Sequence, residues 1–514
     1  MAKVREFGGY LANLEKLANE LGIKKATNEA VIEAAFDKWG LDFPNMLNGN
    51  FYIIMDDADK VIMVRDRFGA RSLYYYVTAD GNLLCSTSIR EMIKKEGFVK
   101  EFNPDALELF LSFSYLPGKD TFFKGMTKVM PGEIIVWENG KLDIKKYWEA
   151  SVKQNTDISI EEMGKQIHFS LMEARKDWQR DAKVRGNFLS GGVDSGYLTA
   201  LMEPKLAVSA CYDDPAFDES PMAQETADTL KVKMHRFKVT PQEYFKSVPL
   251  AMEALEEPLG DASSVVFYMV AGEAKKHVDV CYSGEGADEL FCGYHAYVRR
   301  IKQIEEAKAA GVDLKTLPQV EDYYIGNTRV FHEEDKKKLL KNYRGKILPL
   351  DLARSLYKIT DDMDDVTKIM LCDLNVWFEG DIMLNAEKMS LAHNLDCRTP
   401  FLDKRVVDVA LTIPSNYRAN TEQTKLAFRT AATHLLPESI AWRKKIGFAA
   451  PTRAWMCEEP YVSDIKKVLS SKTAEQFFDT KEVLKMYEPE NIDNCWRKIW
   501  CIYVFLVWYE IYFG

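Results

Sequence analysis

Seven residues, Leu189-Ser190-Gly191-Gly192-Val193-Asp194-Ser195, carry the makings of a phosphate cradle. The paired glycines let a ligand come close to the backbone, and the Ser190 and Ser195 hydroxyls can donate to it. Asp194 adds a carboxylate of the kind that holds a hard cation such as Mg2+. An apolar strand ends at Phe188-Leu189 and a helical segment follows from Tyr197 to Met202, so a helix start with unpaired N–H groups faces the same spot. No Lys-Ser or Lys-Thr follows the glycines, which separates the string from a Walker A loop. A glycine turn closed by a Ser/Asp helix cap is the plain alternative.

Two further segments bear on the same chemistry. Ser283-Gly284-Glu285-Gly286-Ala287-Asp288-Glu289 follows a second apolar strand, Val278 to Tyr282, and puts three carboxylates on one short loop. If Asp194 and Asp288 meet at ~4 Å they repel by ~4 kcal/mol at an effective dielectric of about 20, a sign that a bound Mg2+ reverses. Trp442-Arg443-Lys444-Lys445-Ile446-Gly447-Phe448 is a basic cluster on an acidic chain. Alone it fits a helix end, where cations are favoured; beside the other two it supplies positive charge for a triphosphate.

These loops need strands and helices to hold them. Leu206 to Tyr212 is strand-like and Ala223 to Leu230 helical, before the Val278 to Tyr282 strand. The alternation predicts an α/β fold, a parallel sheet with helices on both faces and ligands at the carboxyl ends of its strands. Ahead of it, Phe51 to Met55, Lys60 to Arg65 and Ser72 to Val77 read as strands broken at Asp56-Asp57 and Asp80-Gly81-Asn82, with another pair around Glu138-Asn139-Gly140. Leu11 to Leu21 and Asn28 to Trp39 have helical spacing, so this first unit is α+β. The polar stretch Ser151 to Ser159 divides the chain into expected domains 1–148 and 149–514. Beyond Glu305 the chain reads mainly helical, with Glu333 to Lys341 as a solvated helix face and Trp496 to Phe513 as a buried, aromatic-rich terminal helix.

Composition narrows the class. The 514 residues are 47% hydrophobic and 28% charged, which fits a globular protein, and a net charge of -10 removes any global attraction to nucleic acid or anionic lipid. Nine scattered cysteines without a CxxC pair indicate cytosolic usage rather than a disulfide framework. No apolar run reaches the ~20 residues that cross a bilayer, and Met1 to Glu6 lacks a signal-peptide stretch, so a cytoplasmic location is expected. The seven histidines show no paired metal spacing, and zinc is not expected. Tyr74-Tyr75-Tyr76 reads as a strand, and Lys425 to Arg429 as either a helix on the site's side or a solvated face.

Four segments in order, Ser190 to Ser195, Ser283 to Glu289, Arg398-Thr399-Pro400-Phe401-Leu402-Asp403 and Lys445-Ile446-Gly447-Phe448, resemble the motifs of the asparagine synthetase family. The resemblance runs from Arg65-Asp66-Arg67-Phe68-Gly69 to the C-terminus. It implies a PP-loop ATP-pyrophosphatase-type parallel sheet with a helical C-terminal elaboration, preceded by a partial α+β Ntn-glutaminase-like domain. It also implies ATP and Mg2+ as cofactors, a carboxylate activated as its adenylate, and displacement of AMP by ammonia or an amine. Carried over residue by residue, Ser190, Gly191, Gly192 and Ser195 would hold pyrophosphate and Asp194 and Asp288 Mg2+. Leu189, Ala210, Ser283 and Gly284 would contact adenosine, Lys445 would neutralise the phosphates, and Glu285 would orient or deprotonate the amine. Asp261 resembles a residue near the substrate without a firm role.

The resemblance also has gaps. Glutamine-dependent members begin with Met-Cys, whereas Ala2 stands here. Phe7-Gly8-Gly9-Tyr10-Leu11-Ala12-Asn13 resembles an internal family string, Phe-Asn-Gly-Glu-Ile-Tyr-Asn, with Gly8 and Tyr10 in place of Asn and Glu, and Asn28 replaces a glutamine-binding Asp. The chain therefore reads as lacking the first strands of that domain and as not hydrolysing glutamine. A shortened sandwich is expected to bare apolar sheet, to be covered by a second copy or a partner. Glu387-Lys388 replaces an Asp-Arg, and Asp396 a Glu, changes expected to retune the acceptor pocket. An intramolecular cyclase similar to β-lactam synthetase or lasso-peptide cyclase is the alternative, and an inactive scaffold subunit a further one.

Overall fold

Alternating apolar residues build the first unit. In the computed structural model, which describes every residue except Met1, Lys358, Ile359, Asp361, Lys445, Ile446 and Phe448, it contains β1 (Lys3–Leu11), β2 (Gly49–Asp57), β3 (Lys60–Arg65), β4 (Tyr74–Val77), β5 (Leu83–Ser86), β6 (Thr127–Lys128), β7 (Glu133–Glu138) and β8 (Lys141–Lys146). They pair as two antiparallel sheets, β1-β2-β3-β7-β8 and β5-β4-β6. The period of two splits each strand between two layers: Ile53, Met55, Ile62 and Val64 pack among residues of helices Leu14–Glu20 and Asn28–Trp39, while Ile54 and Met63 pack on Tyr75 and Cys85 of the second sheet and on Leu73 just before it.

Two expectations change here. Leu11 ends a strand instead of starting a helix, because residues 3–11 pair along β2 and bury Tyr10 and Leu11. The five-stranded sheet is also covered on both faces, by helices on one side and the smaller sheet on the other. Among the described residues, the strands of this unit expose as large apolar side chains Val77 and Ile144. A bared sheet that calls for a covering partner is therefore not seen.

The second sheet is parallel, with order β11-β10-β9-β12-β13 for β9 (Arg185–Phe188), β10 (Leu206–Cys211), β11 (Met234–Lys238), β12 (Val280–Tyr282) and β13 (Asp396–Arg398). The chain leaves β9 toward β10 and β11, then returns to the other side of β9 through β12. The loops after β9 and β12 thus run apart, which opens a crevice at the carboxyl ends of these two strands. Helix Val193–Met202 starts four residues ahead of the expected Tyr197, with Gly192 at its N-cap, so Asp194 and Ser195 fall in its first turn.

The terminal helix, Ile492–Phe513, buries Trp500, Phe505 and Trp508. It packs against Phe110 of helix Pro104–Phe113 and against Phe122, so the N-terminal and C-terminal regions share one apolar core. Buried polar contacts cross the same boundary. Asp403 accepts from Asn48 Nδ2 at 2.8 Å and Trp178 Nε1 at 2.7 Å, and Arg65 pairs with Glu379 at 2.7 Å.

The positions expected to retune an acceptor pocket belong to this boundary instead. Glu387 accepts from Ser72 N at 2.7 Å, Lys388 Nζ donates to the carbonyl of Thr87 at 3.2 Å, and Asp396 lies 3.9 Å from the Arg71 guanidinium. The helix face from Glu333 is not wholly solvated either: Lys336 is fully buried and donates to the carbonyl of Glu108.

Candidate active site

The diverging loops after β9 and β12 open a cavity of about 1020 Å3, mouth included. Leu189, Ser190, Gly192, Asp194, Ser195, Ala210, Ser283, Gly284, Glu285 and Asp288 all line it. Gly191 sits within the same loop, its N–H turned to Glu219 Oε2 at 3.4 Å. Residues scattered in sequence add an apolar wall, with Phe188 from the end of β9, Tyr212 and Phe217 after β10, and Phe267 and Val270 from helix Ser263–Lys275. A cavity with apolar walls and polar groups at one end has the form of a small-ligand site. Lys445 lies outside the described residues; its neighbour Gly447 lines the cavity.

The charges meet at Lys425. Its ammonium lies 2.6 Å from Asp194 Oδ2 and 2.7 Å from Asp288 Oδ1, with the lysine side chain 2% exposed. The approach needs Gly293, where a Cβ would fall 1.7 Å from Asp288 Oδ1 and 2.2 Å from Lys425 Cε. Lys425 is the left-handed N-cap of helix Leu426–Ala432, so of the two readings of 425–429 the solvated face is not observed. Arg429 follows one turn on and donates to the carbonyls of Ala441 and Arg443 at 2.8 and 2.9 Å, tying the basic segment to the site. Burial pushes its guanidinium down, and Asp194 and Asp288 pull it back up.

Glu219 joins the two loops that sequence reading left separate. Nearly buried, it accepts from Gly447 N at 2.8 Å as well as from Gly191 N. Ser195 Oγ closes the first loop by accepting from Ser190 N at 3.1 Å. Burial first, then the Asp288 carboxylate, pushes the Glu289 carboxyl up, and it accepts from the Tyr294 hydroxyl.

Asp261 stands just ahead of helix Ser263–Lys275, which supplies part of this wall, and accepts from Ser263 N at 2.9 Å and Ser263 Oγ at 2.6 Å. Burial, then Asp261, pushes the facing Asp381 carboxyl well above its ordinary range, with Trp377 Nε1 donating to it at 2.7 Å. Asp381 and Glu379 both come from the π-helical stretch Asp373–Met383, a geometry with no sequence signature.

The two carboxylates fit a hard cation. Asp194 Oδ1 is buried without a hydrogen-bond partner, and oxygen donors on adjacent strand ends are the ligand chemistry of Mg2+. The N-terminal unit presents a different picture. Tyr10 donates to the carbonyl of Asp177, and the Arg398 guanidinium lies 3.6 Å from its ring centroid. A Cβ at Gly8 would meet the Tyr52 ring at 2.3 Å, and burial pushes the Cys85 thiol up, away from nucleophilic thiolate.

The sequence profile described as asparagine synthase matches residues 171–510, and that described as glutamine amidotransferase domain matches residues 6–148. Asparagine synthetase [glutamine-hydrolyzing] 1 of Bacillus subtilis (strain 168) is 30% identical, over 98% of this chain and 85% of that protein. A putative asparagine synthetase [glutamine-hydrolyzing] of Mycobacterium bovis is 27% identical, over 99% of this chain and 83% of its own length. The solved glutamine phosphoribosylpyrophosphate amidotransferase of B. subtilis overlaps with a TM-score of 0.21 and 11% identity, over 45% of this chain and 44% of that one. Among the described residues no helix is long and apolar enough to cross a membrane. With well over half its length matched and a relative 30% identical covered over 85% of its own length, the chain belongs to the asparagine synthase family and is a ligase of asparagine synthetase type.

Proposed function

We propose that the chain is an ATP-dependent ligase that activates a small-molecule carboxylate, aspartate or a related acid, as its adenylate and passes the acyl group to ammonia or an amine. The observation that carries this reading is the convergence of Asp194 and Asp288, which both line the crevice cavity, on one buried cation, Lys425. A carboxylate oxygen of the substrate attacks the α-phosphorus, and the bond from that phosphorus to the bridging oxygen breaks, releasing pyrophosphate. The amine nitrogen then attacks the acyl carbon, AMP leaves with the carbon–oxygen electron pair, and Glu285 takes the nitrogen's proton.

Each group has a share in this. Ser190 to Ser195 cradle the pyrophosphate end, and Leu189, Ala210, Ser283 and Gly284 flank adenosine. Asp194 and Asp288 would hold Mg2+, whose charge when bound offsets that of the phosphates. Lys445 and Lys425 add fixed positive charge where negative charge develops. The reaction is placed in the cytoplasm, in keeping with cysteines that are all free.

The nitrogen does not come from glutamine hydrolysed by residues 1–148. Tyr10 and Gly8 leave no counterpart of the polar pair expected there, and Cys85 is buried with its thiol pushed up. ATP–pyrophosphate exchange with a panel of carboxylates, including aspartate with ammonium, tests the ligase reading. Exchange lost in Lys445→Met supports it, and silence across the panel with no ATP binding overturns it in favour of the scaffold. Glutamate release from glutamine by the pure protein would count against the nitrogen assignment.

A further inference from the structure

The outer edge of the parallel sheet carries a cluster that this chemistry does not use. β11 is an edge strand, paired with β10. Its His235 reaches the C-terminal end of helix Ser263–Lys275, where Glu273 and His277 stand one helical turn apart. His235 Nε2 lies 3.1 Å from Glu273 Oε1, and His277 Nε2 lies 3.5 Å from the same oxygen. One donor atom from each of the three falls within 4.8 Å of the other two.

Those separations have a chemical meaning. Ligands bound at ~2.0–2.1 Å to a tetrahedral Zn2+ stand about 3.3 Å from one another, so two of the three edges bracket the required length before any metal is present. Two imidazoles with one carboxylate are the donors preferred by borderline transition metals over Mg2+ or Ca2+. We infer that His235, Glu273 and His277 form a binding site for one divalent transition-metal ion of the Zn2+ class, with water completing the coordination.

The surroundings favour a cation. The last carbonyls of helix Ser263–Lys275 point the negative end of its dipole at the cluster. Lys276 Nζ engages Glu273 Oε2 at 2.5 Å and leaves Oε1 facing the histidines. The side chains of His235 and His277 are 36% and 40% exposed, which gives an ion and its water a path in. Histidine spacing in the sequence gives no hint of the site because β11 and the helix approach each other only in the folded sheet. A metal here would staple the edge strand to the helix that supplies Phe267 and Val270 to the cavity wall.

The test uses untagged, EDTA-stripped full-length protein titrated with ZnCl2 by calorimetry, with melting curves with and without Zn2+. One Zn2+ per chain is expected, with a rise in melting temperature. His235→Gln and His277→Gln should each weaken binding by at least about tenfold, the loss seen even for groups one step behind a metal ligand, and remove the thermal shift. Both variants should melt like the parent in EDTA; if one does not, Glu273→Gln replaces it. Cys457→Ser, which alters an exposed thiol, should leave binding unchanged. Absence of Zn2+ binding, or binding that both histidine variants retain at full strength, overturns the assignment.

Discussion

Lys425 Nζ and Asp194 Oδ2 lie 2.6 Å apart in a nearly closed ion pair that joins the start of helix Leu426–Ala432 to the loop after β9. Asp288 Oδ1 takes the other side of the same ammonium at 2.7 Å, so two carboxylates share one positive charge. Lys425→Met leaves both anions at close range, and losing one partner of a buried pair costs about 3–5 kcal/mol. The variant should unfold at markedly lower urea, and millimolar Mg2+ should return most of the loss by taking the ammonium's place. Urea curves with and without MgCl2 check this; a loss indifferent to Mg2+ would mean that the two aspartates do not form a cation site.

Glu219 should matter to nucleotide binding although it lies outside every motif. Its carboxylate fixes Gly191 N and Gly447 N, one from each loop that would close on the phosphates. Hydrogen bonds to a charged group are worth about 1.5–3 kcal/mol, so Glu219→Ala should weaken ATP by roughly tenfold or more with the far-ultraviolet spectrum unchanged. Glu219→Gln, which keeps one acceptor oxygen, should fall between. Calorimetric titration with ATP decides it, and tighter binding in the alanine variant would show that this carboxylate opposes the phosphates instead of positioning their cradle.

How much of this was legible in the sequence depends on the range of the interaction. The strand-to-helix loop at Ser190 to Ser195 and the loop at Ser283 to Glu289 were readable because their chemistry is local and each follows a short apolar run. The cavity's far wall was not: Phe267 and Val270 are ordinary residues of a buried helix until the sheet order brings that helix over β10. Lys425 was ambiguous because a lysine ahead of a helix is usually solvated, and it takes the fold to show that Gly293 clears its path. Glu387 and Lys388 misled for the opposite reason. Their partners Ser72 and Thr87 stand far away in sequence, in the N-terminal unit, so these positions serve domain packing.

Asp403 should prove to be a structural hub. It is fully buried and accepts from Asn48, Trp178 and Arg405, so it links the N-terminal unit, the long helix Ile160–Trp178 and the helix Lys404–Ala410. Asp403→Ala strands these donors in the interior, where each unsatisfied group costs about 1–3 kcal/mol, and should destabilise the whole chain. Urea unfolding followed by tryptophan fluorescence should show one transition moved to lower denaturant. Two separate transitions would mean that the N-terminal unit has come loose from the ligase unit.

Asp373 predicts a pH dependence with a definite sign. It opens the π-helical stretch and is fully buried, with Tyr297 and Tyr324 donating to its two oxygens at 2.7 Å each. Burial pushes its carboxyl up to about 7, the two hydroxyls holding back part of the rise. The unfolded chain has an aspartate near ~3.9, so between these values the folded state binds the proton and the unfolded state does not. Stability from this group is therefore fully present below about pH 4, declines as the pH rises toward 7, and levels off above, the decline amounting to about 4 kcal/mol at most. Asp373→Asn cannot ionise and should flatten that part of the profile. Urea midpoints measured from about pH 5 to pH 8 for both proteins check it: the difference in stability between them should shift in the variant's favour by about 2–3 kcal/mol across that interval, and parallel profiles would show that Asp373 is already charged at the acid end.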